Sequence, residues 1–314
     1  MQKPHHGLGG ILSSPTARGA VYALLAIFVW SFNFIAGRAL VGDIPPCTLA
    51  LLRWTTAFCI ILPFALPELK REWRYFTQHK WYYLVTGAIG VAFFNTALYI
   101  AAYEVAALNM ALIFLSAPLF TIILSRICFG ELISPGRVAG ILITLTGVLA
   151  LISRGAWQVL ASLSLQPMDL LVLLAAFGFA LYAILVRKKP QGGGQRSFFA
   201  VIFGIGVILL LPFSAWELAG GATVRLSPAL YISVLYMGLG ASIVSFWCWS
   251  KAIGLIGPAR AAVIYCTIPL FTAVEAVLIL GEPVLPVHYL GGALVIGGQL
   301  LAIRQPKQAA AQIP

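Results

Sequence analysis

The sequence predicts an all-α integral membrane protein whose ten transmembrane helices form two inverted five-helix repeats. Three observations predict it. The composition is apolar with almost no charge, ten apolar runs are each about long enough to cross a bilayer, and the second half repeats the first.

Hydrophobic residues make up 61% of the 314 positions and charged residues 9%, with a mean hydropathy of +0.97. Soluble domains run near 45–50% apolar and about 25% charged. Too few charges are present to coat a soluble core, so the outer surface is expected to face lipid. The net charge of +11 would suit nucleic acid only if basic residues gathered on one face among aromatics. They fall instead in short clusters between apolar runs, so the expected partner is the bilayer and no nucleic acid. Cys47, Cys59, Cys128, Cys248 and Cys266 form no CxxC pair and no zinc spacing. They read as small packed hydrophobes, and no metal or cofactor is expected. The first apolar run begins near Gly19 and is longer than a signal-peptide core of about 7–15 residues, so no cleavage is expected.

A helix needs about 20 apolar residues to span a bilayer. Such runs lie near 19–40, 46–66, 81–101, 107–128, 135–153, 169–187, 197–216, 229–250, 258–280 and 286–304. They are continuous and about twice the length of a barrel strand, which excludes a β-barrel. With the N-terminus inside, sixteen Lys and Arg fall in inner segments, while Arg38, Arg154 and Arg225 fall outside. The positive-inside rule then puts both termini in the cytoplasm. Trp73, Trp81, Tyr82, Tyr83, Trp157, Trp216, Tyr231 and Tyr289 mark span ends, as interfacial anchors do.

The halves match at nearly fixed offsets. Ala117-Pro118-Leu119-Phe120-Thr121 recurs as Ile268-Pro269-Leu270-Phe271-Thr272, 151 positions on. At that offset Gly130-Glu131 matches Gly281-Glu282, Pro135 matches Pro286, Gly140 matches Gly291 and Gly147 matches Gly298. Leu62-Pro63-Phe64 matches Leu211-Pro212-Phe213, and Arg38 matches Arg187, both at offset 149. The expected units are a cytoplasmic tail 1–17, repeats 18–154 and 155–304, and a cytoplasmic tail 305–314. Five helices is an odd number, so the second copy must sit upside down, a plan that recurs among secondary transporters.

Trp30-Ser31-Phe32-Asn33, the Leu52-Arg53 opening of the second span, the Pro118 and Pro269 helices and the duplicated Gly-Glu pairs resemble the EamA family of the drug/metabolite transporter superfamily. The resemblance runs from about Arg18 to Ile303. It implies ten helices, an inward N-terminus, a bacterial inner-membrane location, and alternating-access transport of small metabolites, often amino acids and usually outward. It does not fix the substrate.

Ionisable groups inside a span are costly, at about 2.5–3.5 kcal/mol on insertion scales, and so point to a pathway. Glu275 is the one acid clearly inside a span, and Arg53 the one base. At about 1.5 Å per residue both lie in the outer half, at a depth shared by Asn33 and Asn95. Either Arg53, Asn33 and Asn95 hold a substrate carboxylate or amide while Glu275 acts as counter-ion or proton carrier, or Arg53 and Glu275 pair structurally. Trp30, Tyr99, Tyr103, Tyr182, Tyr265, Tyr236 and Trp247 supply an aromatic layer suited to amphiphilic solutes, or else simply pack. Pro118 and Pro269, read as mid-helix, are candidate hinges. Glu131 and Glu282 are expected to cap the next helix in each half. Gly136, Gly140, Gly147, Gly291, Gly292, Gly297 and Gly298 form either a homodimer face or internal packing. No HExxH, GxSxG or GxxxxGK[ST] pattern occurs, which argues against an enzyme or a primary pump. A multidrug carrier of this fold and a passive channel are the alternatives to an amino-acid exporter.

Overall fold

The computed structural model describes residues 14–40, 42–105, 110, 113–153, 158, 167–280 and 286–303. Trp157, Arg154, Gly281, Glu282, the boundary near 154, residues 1–13 and the C-terminal tail lie outside them, whereas 15–17, expected in the N-terminal tail, open the first helix. Among the described residues every regular element is helical: α1 Pro15–Ala39, α2 Pro46–Gln78, α3 Lys80–Gly87, π1 Ala88–Phe93, α4 Phe94–Ala101, α5 Ser116–Phe129, α6 Pro135–Ser153, α7 Asp169–Arg187, α8 Gln195–Ala219, α9 Pro228–Tyr236, π2 Met237–Val244, α10 Ser245–Ile256, α11 Pro258–Tyr265, α12 Ile268–Leu280 and α13 Pro286–Ile303. Segments α3–π1–α4 and α9–π2–α10 run on as single bodies. Among the described residues six helical stretches are long and apolar enough to cross a membrane, and four further apolar helices are shorter. Large apolar side chains such as Ile127, Leu142, Trp216 and Leu278 stand on the outside. A surface of that kind is stable against lipid, not water. The interior is aromatic, with Trp54, Trp249, Phe198, Phe203 and Phe246 fully enclosed.

Equivalent helices of the two halves meet. On α6 and α13, a Cβ at Gly140 would lie 2.5 Å from the Gly298 carbonyl, and one at Gly147 2.7 Å from the Gly291 carbonyl. The earlier glycine of each helix therefore faces the later glycine of the other, so α6 and α13 run antiparallel at backbone contact. The glycine stripe thus packs the chain on itself, settling for Gly140, Gly147, Gly291 and Gly298 the choice left open by sequence.

Helices α2 and α8 clasp each other at both ends. Glu217, near the end of α8, accepts the Cys47 and Thr48 N–H groups at 2.8 Å each and the Thr48 hydroxyl at 2.9 Å. At the opposite ends, Glu72 accepts the Gly194 N–H at 2.8 Å and the Ser197 hydroxyl at 2.9 Å, while Glu68 accepts the Ser197 N–H at 3.2 Å. Thr48 with Ser197, and Glu68 with Glu217, are each 149 positions apart. The first turn of a helix has unpaired N–H groups and a positive dipole end. Each helix supplies the carboxylate that the other's first turn lacks. This explains why α2 continues to Gln78, beyond the expected end at 66: its polar last turns carry Glu68 and Glu72 to α8.

The loops sort onto two faces. Arg225 pairs with Asp43 at 3.6 Å, and the Tyr103 hydroxyl donates to the Ile44 carbonyl at 2.8 Å. At the far side Arg187 pairs with Glu131, and Arg137 lies 3.9 Å from the same carboxylate. Glu131 was expected to cap α6. The Ser134 hydroxyl takes the Arg137 N–H there at 3.2 Å, leaving Glu131 to the arginines. Tyr83, expected at the interface, is buried, because it packs on Phe76 and Phe198. Trp73, Trp81, Trp216, Tyr231 and Tyr289 are exposed, as anchors would be.

Two outcomes are expected. Gly140→Ala puts its methyl against backbone, so it should destabilise the protein by about 1–3 kcal/mol. Gly136→Ala, with nothing within 4 Å, should be neutral or slightly stabilising; thermal unfolding in detergent compares the two. The second concerns Glu72. Burial would lift its carboxyl, but the Gly194 N–H, the Ser197 hydroxyl and Arg71 outweigh that and hold it below the usual 4.5. A depressed carboxylate stabilises above its unfolded value, and that stability is lost as pH falls through the folded value. Glu72→Gln should therefore lower the unfolding midpoint at pH 7, with the gap to wild type closing below about pH 4.5.

Candidate functional site

The Arg53 guanidinium lies inside the bundle, 1% exposed. Pro45 and Pro46 set the start of α2 at one face, and seven residues of helix carry Arg53 about 10 Å inward. Its donors are met from three directions. Nε donates to the Ser242 hydroxyl at 2.7 Å and Nη2 to the Ala241 carbonyl at 3.1 Å. Nη1 donates to Tyr99 at 2.8 Å, to Asn95 Oδ1 at 3.2 Å and, at the edge of bonding range, to Asn33 Oδ1 at 3.5 Å. The Trp54 ring lies 4.8 Å from the guanidinium carbon.

Two widened turns make this possible. Ala241 and Ser242 sit inside π2, and Asn95 lies just past the end of π1. The first residues of the two segments, Ala88 and Met237, are 149 positions apart, so the device occurs at the same place in each half. One extra residue in a turn rotates the rest of the helix by about 100°. That re-aims carbonyls and side chains out of the regular ladder. The Ala241 carbonyl accepts both Arg53 and the Trp30 indole N–H, the latter at 2.9 Å.

Every acceptor around Arg53 is neutral. Among the described residues no ion pair joins it to a carboxylate, so the structural Arg53–Glu275 pair is not formed. Glu275, 3% exposed, takes a hydrogen bond from Ser31 on one oxygen. Among the described residues its other oxygen has no partner, and neither does Asn95 Nδ2. Buried polar groups are nearly always paired; these two are among several that are not, with Trp54 Nε1, Tyr182 Oη and Trp249 Nε1 in the same interior, and they are the two that lie on the side chains around Arg53 and on Glu275.

Beside Arg53 is an aromatic cluster. The Trp30 and Phe179 rings are 5.9 Å apart, and those of Phe114 and Tyr265 are 6.0 Å apart. Trp30 and Phe179 differ by 149 positions, and Phe114 and Tyr265 by 151. Each pair is therefore one position met by its own repeat copy. Trp249 and Phe246 complete the cluster around Trp30.

Pro118 and Pro269 do not sit mid-helix. They occupy the first turns of α5 and α12, after interruptions at Leu115 and at Cys266–Thr267. A proline lacks the N–H that a helix interior needs but a first turn does not, so the chain breaks before it. Phe114 and Tyr265 are four residues upstream, where a proline leaves the carbonyl without its helical donor.

Of the residues expected at a site, Asn33, Asn95 and Tyr99 gather on Arg53, and Trp30 and Tyr265 join the aromatic cluster. Glu275 reaches α1 at Ser31, next to Trp30. Tyr182 is enclosed and packs on Phe246 at 5.3 Å, at the cluster's edge. Tyr103 stands apart, 47% exposed at one face. Sequence reasoning missed Ser31, Phe114, Phe179, Ser242, Phe246 and Trp249. Phe179 and Phe114 could have been found as the repeat partners of Trp30 and Tyr265. Ser242 depends on a π-turn that leaves no mark on the sequence.

The EamA-like transporter family model matches residues 17–153 and again 166–304. A probable amino-acid metabolite efflux pump of Escherichia coli (strain K12) is 26% identical, over 90% of this chain and 93% of that protein. A probable terminal-alkyne amino-acid exporter of Streptantibioticus cattleyicolor is 27% identical, over 91% of this chain and 94% of its own length. A protein of known crystal structure superposes with a TM-score of 0.70 at 19% identity, over 90% of this chain and 96% of that one; it shares the fold. With nearly the whole length matched in two successive copies, this chain belongs to the EamA-like transporter family and is a multi-pass membrane protein.

Proposed function

We propose that the protein is a secondary transporter that exports amino acids or related amphiphilic compounds across the bacterial inner membrane by alternating access. Ten crossings in two inverted repeats, with both termini cytoplasmic, fit the alternation of loops between two faces and the antiparallel meeting of α6 with α13. The aligned names of the Escherichia coli and Streptantibioticus relatives support amino acids as the solute class and export as the direction.

One observation carries the reading: a buried guanidinium solvated wholly by neutral groups. A buried charge is costly unless compensated by an opposite charge. Arg53 is therefore set to take an anion that arrives and leaves, and its planar fork suits a carboxylate. Asn95, Tyr99 and Asn33 orient the fork, and the Trp30–Tyr265 cluster offers apolar contact to the rest of the solute. A phosphate site would call for several cations; among the described residues Arg53 is the one base fully enclosed in the bundle. The breaks before Pro118 and Pro269 are where the halves can bend about the site.

Cells overproducing the protein should release labelled L-phenylalanine several-fold faster than control cells. Arg53→Lys keeps the charge but loses the fork, so it should reduce that release at least tenfold with membrane levels unchanged. Proteoliposomes should show saturation and counterflow. Flux that neither saturates nor exchanges would make the protein a channel, and equal release from overproducing and control cells would remove phenylalanine export.

A further inference from the structure

We infer that Glu275 is the ammonium-binding half of the Arg53 site, so that a substrate must carry both a free α-carboxylate and a free α-amine. This rests on the export reading and narrows its substrate class. Glu275 and Arg53 are an acidic and a basic side chain buried in one bundle, yet no ion pair forms between them among the described residues. A pair serving stability alone would close, since contact is what offsets the desolvation of two buried ions. Held apart, each lacks a counter-charge.

The two orphaned atoms have matching chemistry. Asn95 Nδ2, on the residue whose Oδ1 accepts Arg53 at 3.2 Å, is a donor without an acceptor. Glu275 Oε2 is an acceptor without a donor. A carboxylate would satisfy the first and an ammonium the second. Consecutive residues of α1 link the two ends. The Ser31 hydroxyl holds the other Glu275 oxygen, while the Trp30 indole bonds the Ala241 carbonyl that also takes Arg53. Trp30 thus shares a carbonyl with Arg53 and adjoins in sequence the serine that holds Glu275. Its ring and that of Tyr265, 6.2 Å apart, present π-faces that favour a nearby ammonium. A zwitterion carries both charges on one carbon and completes both ends at once.

The test is counterflow in proteoliposomes with labelled L-phenylalanine and labelled 3-phenylpropanoate, which lacks only the amine, each corrected for protein-free liposomes. Wild type should move phenylalanine at least tenfold faster than 3-phenylpropanoate. Glu275→Gln, nearly isosteric, should reduce phenylalanine flux tenfold or more and leave 3-phenylpropanoate unchanged or faster. The inference is overturned if wild type moves both probes equally, or if Glu275→Gln leaves their ratio unaltered. It is also overturned if that variant abolishes both fluxes alike, which would mark a structural group or a proton carrier. A wild-type protein that exchanges neither probe removes the export reading itself, and this inference with it.

Discussion

A guanidinium in a lipid-embedded bundle constrains everything near it. Water is excluded, so each donor must find an acceptor on the protein or on a solute. A regular α-helix offers less, because each of its carbonyls already accepts one bond along its own ladder. The protein meets the demand by widening one turn at π2, where the Ala241 carbonyl and the Ser242 hydroxyl turn toward Arg53. A second widened turn, π1, precedes Asn95. The small residues within these turns, Gly90, Gly238 and Gly240, let neighbouring helices come close enough to bury the result.

The duplication separates scaffold from chemistry. Framework positions agree between halves: Thr48 with Ser197, Glu68 with Glu217, Gly140 with Gly291, Trp30 with Phe179 and Phe114 with Tyr265. These residues cap, pack or meet their own copies. The charged and amide positions around Arg53 and at Glu275 do not agree. Arg53 corresponds to Ile202, Asn95 to Val244, Asn33 to Tyr182 and Glu275 to Leu124. A site on a local two-fold axis with both copies intact would offer the same chemistry twice. On the proposed reading, divergence at these four positions would give it one cationic and one anionic side, as recognition of an asymmetric solute requires.

How much was legible in the sequence depends on how local each cause is. The six long apolar helices come from runs of apolar letters, and the level expected for Arg53, Asn33, Asn95 and Glu275 comes from helix rise alone, so both are local readings. The meeting of Arg53, Asn33 and Asn95 was accessible too, once they shared a level. Nonlocal causes stayed hidden. The carboxylate that caps Thr48 is Glu217, at a sequence distance of 169, and no neighbour of Thr48 reveals it. The π-turns have the same apolar composition as the helix around them. Pro118 and Pro269 were visible, but whether the chain kinks through a proline or restarts before it depends on whether neighbouring helices support a break. Here the aromatic meeting of Phe114 and Tyr265 fills the place where both breaks occur.

The separated charges also bear on how such a carrier could avoid leaking. An empty site with an unpaired guanidinium and an unpaired carboxylate is best stabilised while water can still reach it. Sealing it dry leaves both ions without compensation, which raises the energy of the closed, empty form. A zwitterion that bridges them removes that cost in the sealed form and gains less in the open one, where water already solvates each group. The differential is what moves a population between states. On this view the distance between Arg53 and Glu275 is itself the selective element. Were the two side chains in contact, they would neutralise each other, the empty carrier would close as readily as the loaded one, and occupancy would no longer govern passage.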